Sequence, residues 1–267
     1  MSLPSPESAA PVEMLSRPTS AEPFPDEWYD ESSADHFWFT WRLRALHRLM
    51  KDVGLSTEAT LRALDIGSGS GVLARQLEDT TAWTVDATDL NLGALKRCAP
   101  RRGRTLYYDV TEERTELRGT YDVALLFDVI EHVPKPRPLL ESALRHLKPG
   151  GWLLINVPAL PVLFSRYDVV AGHVRRYTRD SLARELDGLP LSSRALRYWG
   201  FSLVPALLAR KALMPTQDPD QQRVIERGFV PPSKLVDGAL RVLMHAETRL
   251  SARPVLGTSV LYAGRVP

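Results

Sequence analysis

The chain is poor in cysteine and has no long uninterrupted hydrophobic run. Cys98 is its single cysteine among 267 residues, so no internal disulfide can form, and we expect a reducing, cytoplasmic location. The longest apolar stretch, residues 201–215, is interrupted by Pro205 and carries Arg210 and Lys211, which argues against a transmembrane segment. No basic region followed by an apolar core marks a secretory signal among the first residues.

The sequence also lacks an excess of one charge and any internal repeat. The formal net charge is +2, and the basic residues are spread along the chain, which argues against a dedicated nucleic-acid-binding protein. Residues 1–25 are rich in Pro, Ser, Ala and Glu and have few bulky apolar groups, so we predict a disordered tail there. Residues 26–267 are then expected to form one ordered domain.

What the chain does contain is an alternation of strand-like and helix-like runs. Buried strands are predicted at 61–66, 82–88, 104–110, 121–130 and 151–158, with helices at 71–79, 90–99 and 137–147. This alternation indicates crossover units that build a parallel sheet with helices on both faces. The predicted fold class is therefore α/β, a Rossmann-like, doubly wound, mostly parallel sheet.

A helical cap is expected before this sheet unit, over residues 26–54. Apolar residues recur at helical spacing from Phe39 to Val53. Asp35 is a candidate N-cap, and Gly54 is a candidate stop.

The C-terminal third is less regular. A helix capped by Thr178 and ending at Gly188 precedes a strand-like run at 192–200. Two apolar helical stretches within 201–252 indicate an insertion before an antiparallel last strand at 257–266. The insertion can be a lid over a lipophilic ligand, a dimer surface or plain core, and its basic residues would also suit peripheral contact with a membrane surface. The sequence leaves open whether the protein is a monomer or a homodimer.

A glycine-rich loop joins the first predicted strand to the first predicted helix. Gly67, Gly69 and Gly71 alternate with serines, and this G-x-G-x-G spacing is one residue shorter than the loop that holds a dinucleotide pyrophosphate. Asp65 lies two residues before the first glycine, where a carboxylate suits an ammonium group better than phosphates. A tight turn without a ligand is the alternative.

Two further carboxylates follow at the ends of the next strands. Asp89 lies about eighteen residues after Gly71, near the distance expected for a carboxylate that binds ribose hydroxyls, and Asp86 is its competitor. Asp109 ends the third predicted strand and can accept a hydrogen bond from an adenine amine. The implied ligand carries an ammonium group, a ribose and an adenine but no phosphate, which describes S-adenosylmethionine.

Taken in order, these motifs resemble those of the class I S-adenosylmethionine-dependent methyltransferases. The resemblance runs from about Trp28 to the C-terminus, through LDIGSGSG, YDVALLFDVIEHV and LKPGGWLLINVP. It implies the class I methyltransferase fold over 26–267, methyl transfer as the activity and S-adenosylmethionine as the cofactor. Cofactor contacts are predicted from Asp65, Gly67, Ser68, Gly69, Gly71, Asp89, Leu90, Asp109, Val110 and Asp128.

A narrower resemblance covers HFWFTWRLR and GHVRRYTRDSL, which are similar to a bacterial subgroup near the ubiquinone-type methyltransferases, types 11 and 23. It implies that the N-terminal helix lies over the cofactor, that Arg42 approaches the methionine carboxylate, and that Trp38 or Trp41 walls the pocket. A solvent-facing helical charge is the alternative for Arg42. The substrates of this subgroup are varied, so the resemblance names no acceptor.

Methyl transfer to a hydroxyl requires alignment of the acceptor and removal of its proton. His132, just past the fourth predicted strand, is a candidate general base or acceptor-orienting group, with a structural histidine as the alternative. His173 follows the fifth strand with Arg176 and Tyr177, and this group either lines the acceptor site or forms a solvated basic turn. Glu131 is assigned a structural role.

The leading hypothesis is a small-molecule methyltransferase that acts on oxygen, with a lipophilic or acidic acceptor and a place in small-molecule or secondary metabolism. After the fourth predicted strand the sequence reads FDVIEHVP and not the Asn/Asp-Pro-Pro of adenine-modifying enzymes, and Cys98 lies on the wrong element for a cytosine nucleophile. The glycine spacing disfavours a nicotinamide-dependent oxidoreductase. A cofactor-binding partner protein without turnover stays open. We assemble no cluster of acidic metal ligands, so no metal is predicted.

Overall fold

The protein is described here by a computed structural model that covers residues 11–18, 36–99, 101–213, 233–250 and 254–267. Its centre is a sheet of eight strands. The strands are β1 (Val12–Met14), β2 (Arg62–Ile66), β3 (Thr84–Asp89), β4 (Thr105–Tyr107), β5 (Tyr121–Phe127), β6 (Leu147–Pro158), β7 (Ser192–Trp199) and β8 (Ser259–Arg265).

The spatial order of the strands is β1-β4-β3-β2-β5-β6-β8-β7. Every neighbouring pair from β1 to β6 is parallel, and β8 runs antiparallel between β6 and β7. The prediction of a doubly wound, mostly parallel sheet with an antiparallel last strand is confirmed. The order reverses between β2 and β5, and open sheets of this kind bind ligands at the carboxyl ends of their strands at such a point.

The helices occupy both faces of the sheet. They are α1 (Phe37–Val53), α2 (Val72–Thr80), α3 (Leu92–Leu95), α4 (Arg137–His146), α5 (Arg166–Val170), α6 (Arg179–Leu186), α7 (Val204–Leu213) and α8 (Lys234–Leu250). The helix predicted over 90–99 is only the short α3, capped by Asn91, whose side chain accepts a hydrogen bond from Ala94 N.

Alternate residues of β5 face two separate apolar layers. Val123 and Leu125 belong to the layer that includes α1 and α2, whereas Ala124 and Leu126 belong to the layer that includes α4. All four side chains are completely buried. The very apolar run at 121–127 therefore marks a central strand covered on both faces.

α1 buries one face against this sheet, with Leu46, Leu49 and Met50 in the core. Its first turn is capped by His36, whose ring nitrogen accepts from Trp38 N at 3.2 Å. The expected cap, Asp35, lies outside the described residues. Gly54 ends the helix in the left-handed conformation, as predicted.

The prediction of a disordered tail over residues 1–25 is wrong for residues 11–18. β1 pairs in parallel with β4, and the backbone N–H groups of Leu15 and Ser16 both donate to Tyr107 O. Ser16 Oγ accepts from Asp109 N and donates to Glu112, each at 2.9 Å. An edge strand is held largely by backbone hydrogen bonds to its neighbour, so its composition gave no signal of order.

The predicted helical insertion near the C-terminus is present between β7 and β8, as α7 and α8. α8 packs on α1 and buries Met244. Its Glu247 side chain accepts hydrogen bonds from Gly200 N and Ser202 N, at 2.9 and 2.7 Å, and so fixes the start of the insertion. Across the described residues, no helix combines the length and apolarity needed to cross a membrane.

Asp86 is a structural carboxylate inside the sheet. It is 3% exposed and accepts hydrogen bonds from Arg104 N and from Tyr121 Oη, both at 2.8 Å. Burial alone would raise the pKa of Asp86, but its hydrogen bonds from Arg104 and Tyr121 outweigh burial and hold that pKa below its usual range. Asp86 therefore has a structural role and binds other residues of the protein.

We expect Asp86→Ala to lower the free energy of unfolding by about 3 kcal/mol, because it leaves Arg104 and Tyr121 without their buried partner. Urea denaturation monitored by circular dichroism measures this loss. The matched control is Asp79→Ala, since Asp79 is 67% exposed and its removal should cost under about 0.5 kcal/mol. Equal losses in the two variants would contradict the structural role of Asp86.

Candidate active site

A cavity of about 510 Å³ lies at the carboxyl ends of the central strands. One wall is the loop after β2, and Asp89 at the end of β3 stands beside it. The segment 127–133 after β5 forms the floor of the opposite half. α1 and α7 cover the cavity from the two sides. The switch in strand order between β2 and β5 therefore opens into a site large enough for a nucleoside-sized ligand.

The loop after β2 requires glycine for its conformation. Gly67, Gly69 and Gly71 all have left-handed φ angles, of 71°, 56° and 73°. A Cβ atom at Gly67 would lie 2.6 Å from Val129 Cγ2, too close for any side chain. Ser68, between the glycines, has a buried Oγ without a hydrogen-bond partner among the described residues. All four loop residues that line the cavity, 67–70, are thus held open toward a ligand.

Asp65 lies at the end of β2 and is 2% exposed. Its Oδ2 atom has no hydrogen-bond partner in the described part of the chain. Burial raises the pKa of Asp65 to about 7, although the positive charges of Arg42 and Arg101 oppose this shift. A buried carboxylate of this kind is costly unless a cation joins it, so the position suits a positively charged ligand group.

Asp89 stands opposite the glycine loop. Its carboxylate accepts from Gly69 N at 2.7 Å and from Asn91 N at 2.8 Å. Burial nevertheless raises the pKa of Asp89. Asp89 lines the cavity, whereas Asp86, its competitor, does not, and Leu90 is 42% exposed outside the cavity wall. Of the two carboxylates, it is therefore Asp89, which the sequence favoured because DLN starts the next helix, that lines the cavity.

Asp109 and Val110 do not belong to the residues that line the cavity. The Asp109 carboxylate accepts from Thr111 N at 2.9 Å and caps the turn Val110–Glu112. Val110 is 3% exposed and packs in the core. Their assignment to the adenine end, like that of Leu90, stays a prediction.

Arg42 of α1 reaches into the cavity and binds Asp128. The distance from its Nη1 to Asp128 Oδ2 is 2.6 Å, and its guanidinium lies 4.9 Å from the centroid of the Phe39 ring. The second oxygen of Asp128 accepts from Asn156 Nδ2 at 2.8 Å. Asp128 has a φ of 58°, a strained conformation for a residue other than glycine that concentrates at functional sites. The two predicted cofactor contacts are thus brought together, but as partners of each other.

The two tryptophans of α1 have different positions. Trp38 lines the cavity, whereas Trp41 is 1% exposed and packs against Trp199, with ring centroids 6.1 Å apart. Of the two candidates for the pocket wall, only Trp38 has the required position.

The far end of the cavity holds a carboxylate and two imidazoles. The rings of His132 and His173 are in edge contact, with centroids 4.8 Å apart. Glu131 beside them is fully buried, and burial followed by the charge of Asp128 raises its pKa well above the usual value. Burial and the charge of His173 lower the pKa of His132 to about 4, so its ring is neutral near pH 7. The two residues predicted to act on the acceptor therefore share one site.

Asp168 orients the ring of His173 by a hydrogen bond. Its Oδ1 atom accepts from His173 Nδ1 at 2.9 Å and from Arg176 Nε at 2.7 Å. Burial alone would raise the pKa of Asp168, but its bonds from His173 and Arg176 bring it down to about 2. The ionised carboxylate fixes hydrogen on Nδ1 of His173, so the Nε2 lone pair faces the cavity. Arg176 lines the cavity, whereas Tyr177 is buried in the core.

Sequence reasoning missed several residues of the cavity wall. Leu203, Leu207 and Arg210 line it from α7 and the turn before it, and their spacing of four and three residues was a usable helical signal. Tyr167 and Ser70 also line it. Glu131 was assigned a structural role, yet it faces the cavity without a hydrogen-bond partner among the described residues.

The strand order, the glycine loop and the position of the cavity define the class I methyltransferase fold. A family model described as a methyltransferase domain matches residues 44–189, and the chain belongs to this family. The solved structure of Haemonchus contortus phosphoethanolamine N-methyltransferase 2 with S-adenosyl-L-methionine is similar, with a TM-score of 0.54 and 19% identity over 84% of this chain and 52% of that one. The [4+2]-cyclase SpnF gives a TM-score of 0.56 at 15% identity over 89% and 86%.

Among curated proteins, the ubiquinone biosynthesis O-methyltransferase of Paraburkholderia xenovorans (strain LB400) is 33% identical over 98 residues. The match covers 35% of this chain and 42% of that relative. The chain thus spans less than half the length of the relatives it matches, and the similarity extends to neither whole protein.

We expect Asp65→Asn to raise the free energy of unfolding of the ligand-free protein by up to about 4 kcal/mol near pH 8, because burial raises the pKa of Asp65 to about 7 and disfavours its charge. The folded-state pKa lies above the unfolded one. The destabilisation of the parent protein by ionised Asp65 therefore grows as the pH rises from about 4 through 7. Below about pH 4, Asp65→Asn no longer has a higher free energy of unfolding than the parent. Urea unfolding at acidic and alkaline pH measures it.

Asp79→Asn is the matched control, since Asp79 is exposed and should show no such pH dependence. A variant of Asp65 that is less stable than the parent at both pH values would contradict an uncompensated charge at this position.

Proposed function

We propose that the protein transfers a methyl group from S-adenosylmethionine to a hydroxyl oxygen of a small-molecule acceptor. One observation carries the proposal. A single cavity has the buried, unpaired carboxylate of Asp65 beside an open glycine loop at one end and a cluster of Glu131 and two histidines at the other. The first end suits a cationic nucleoside, and the second suits an acceptor that must lose a proton.

The cofactor end supplies charged side chains that match the polar parts of S-adenosylmethionine. Asp65 would bind the ammonium group and Asp89 the ribose hydroxyls, while the open loop at 67–70 accepts close approach of the ligand. Arg42 would meet the methionine carboxylate, which requires it to share or leave its bond with Asp128. Asp109 and Val110 remain the candidates for the adenine.

The acceptor end favours a hydroxylated molecule with an apolar body. Leu203 and Leu207 give its wall an apolar side, and Arg176 and Arg210 add positive charge, which suits an acidic group on the acceptor. The name of the ubiquinone biosynthesis O-methyltransferase, a partial relative, supports oxygen as the methylated atom. His132, which lines the same cavity, is the candidate to orient the acceptor hydroxyl or take its proton.

The fold alone does not establish the reaction. One structural neighbour is titled a [4+2]-cyclase, so a protein of this fold that binds the cofactor without methyl transfer is the second candidate. The buried His132 and His173 in the cavity favour turnover, because a scaffold has no use for two imidazoles at the acceptor end.

We expect S-adenosylmethionine, but not NADH, to raise the melting temperature of the protein, because ligands stabilise the state that binds them. Asp89→Ala should weaken the binding of S-adenosylmethionine at least tenfold by calorimetry without unfolding the free protein. Asp79→Ala is the control for the substitution. Stabilisation by NADH alone would overturn the proposal, and unchanged affinity in Asp89→Ala would remove Asp89 from the site.

We expect His132→Ala to lower turnover at least a hundredfold while the affinity for S-adenosylmethionine changes less than threefold, because His132 lies at the acceptor end. Incubation of cell extract with radiolabelled cofactor identifies the acceptor needed for this assay. His47→Ala, outside the cavity, is the control. Equal turnover in both variants would exclude His132 from the reaction.

A further inference from the structure

We propose that Glu131, His132 and His173 bind a divalent transition-metal ion that holds the acceptor hydroxyl. The inference rests on the proposed methyl transfer for its role, but the metal site itself stands on the geometry of these three side chains. Each offers one ligand atom, and the three atoms lie within 4.8 Å of one another. All three residues line the acceptor end of the cavity.

The distances fit a site that closes on an ion. Ligand atoms bound to Zn²⁺ at about 2.0–2.1 Å in a tetrahedral arrangement stand about 3.3 Å apart. The widest separation, 4.8 Å, must therefore shorten by about 1.5 Å through rotation of the partly buried imidazoles. Three protein ligands leave further coordination positions open toward the cavity, the arrangement of a catalytic rather than a structural site.

The buried carboxyl group of Glu131 is the feature that points to a bound cation. Its side chain is fully buried, and neither carboxylate oxygen has a hydrogen-bond partner within the described ranges. Two nearby basic groups are already engaged in other bonds. Arg176 binds Asp168 and Ala159 O, and Arg42 binds Asp128. A buried carboxylate in these surroundings calls for a positive charge supplied by a ligand.

Both imidazoles are oriented as metal ligands are. His173 donates from Nδ1 to the ionised Asp168, which leaves Nε2 directed at Glu131 Oε1, 4.0 Å away. His132 hydrogen bonds to the backbone of Gly172. Metal-binding histidines characteristically donate their second ring N–H to a carboxylate or a backbone carbonyl, which fixes the tautomer and the ring plane.

The ligand set selects the class of ion. Two imidazoles with one carboxylate suit a borderline-soft ion such as Zn²⁺ best and can also bind the harder Mn²⁺, whereas Mg²⁺ and Ca²⁺ prefer oxygen alone. Bound in an open position, the acceptor hydroxyl would lose its proton to water at lower pH. Its oxygen would then form the O–C bond as the C–S bond of the sulfonium breaks, which releases the thioether.

The test uses the full-length chain without an affinity tag, stripped of metal with EDTA and titrated with Zn²⁺ or Mn²⁺ in a calorimeter. We expect one site per chain, and metal should raise the melting temperature. Glu131→Gln and His173→Asn should each weaken binding at least tenfold. His47→Gln, the same kind of change outside the cavity, should leave binding unchanged.

The melting temperatures of the metal-free variants check their folding, and Glu131→Gln should be no less stable than the parent because glutamine has the same shape and carries no charge that burial could disfavour. Binding of S-adenosylmethionine is measured on the same metal-free samples. If the protein binds S-adenosylmethionine but no metal ion, this inference alone is overturned. The same holds if both variants still bind the metal as the parent does. A metal site without cofactor binding supports the inference and overturns the proposed function.

Discussion

Buried negative charge at the carboxyl edge of the parallel strands is the constraint on which the rest of this structure depends. Asp65 and Asp89 lie at the ends of their strands, and Asp128 and Glu131 follow the end of β5. The switch in strand order between β2 and β5 brings these ends to one cavity. Burial raises the pKa of each of these carboxylic acids. The sheet thus builds a site whose charge is balanced only when cations enter it.

The fold reduces the cost of these buried carboxylates through a few specific ion pairs and hydrogen bonds. Arg42 is brought over the cavity by α1 and neutralises Asp128, while aromatic rings around its guanidinium hold it in place. Asp86, by contrast, does not face the cavity, because Arg104 and Tyr121 donate hydrogen bonds to it inside the sheet. Two aspartates three residues apart on β3 therefore serve stability and the site separately, because alternate positions of the strand meet different surroundings.

The sequence predicted the central sheet well because β5 and β6 are continuous apolar runs, which only a strand covered on both faces explains. It located the glycine loop and Asp65 because their chemistry is local. It could not find β1, whose order depends on backbone pairing with β4, nor the bond between Arg42 and Asp128, whose partners are distant in the chain. The ligand group of Glu131, His132 and His173 escaped for the same reason, since only the folded sheet brings His173 to the other two.

Charge also explains how such a cavity can turn over. Methyl transfer converts a sulfonium into a neutral thioether, so a wall of carboxylates loses an attractive partner at the moment the product forms, which favours its release. In the proposed reaction the ammonium group, which Asp65 would bind, is unchanged, so this contact would secure only the part shared by substrate and product. Glu131 lies at the acceptor end and gains nothing from either form. A metal ion bound in the proposed site would favour the ionised form of Glu131 throughout the cycle, which a departing cofactor would not.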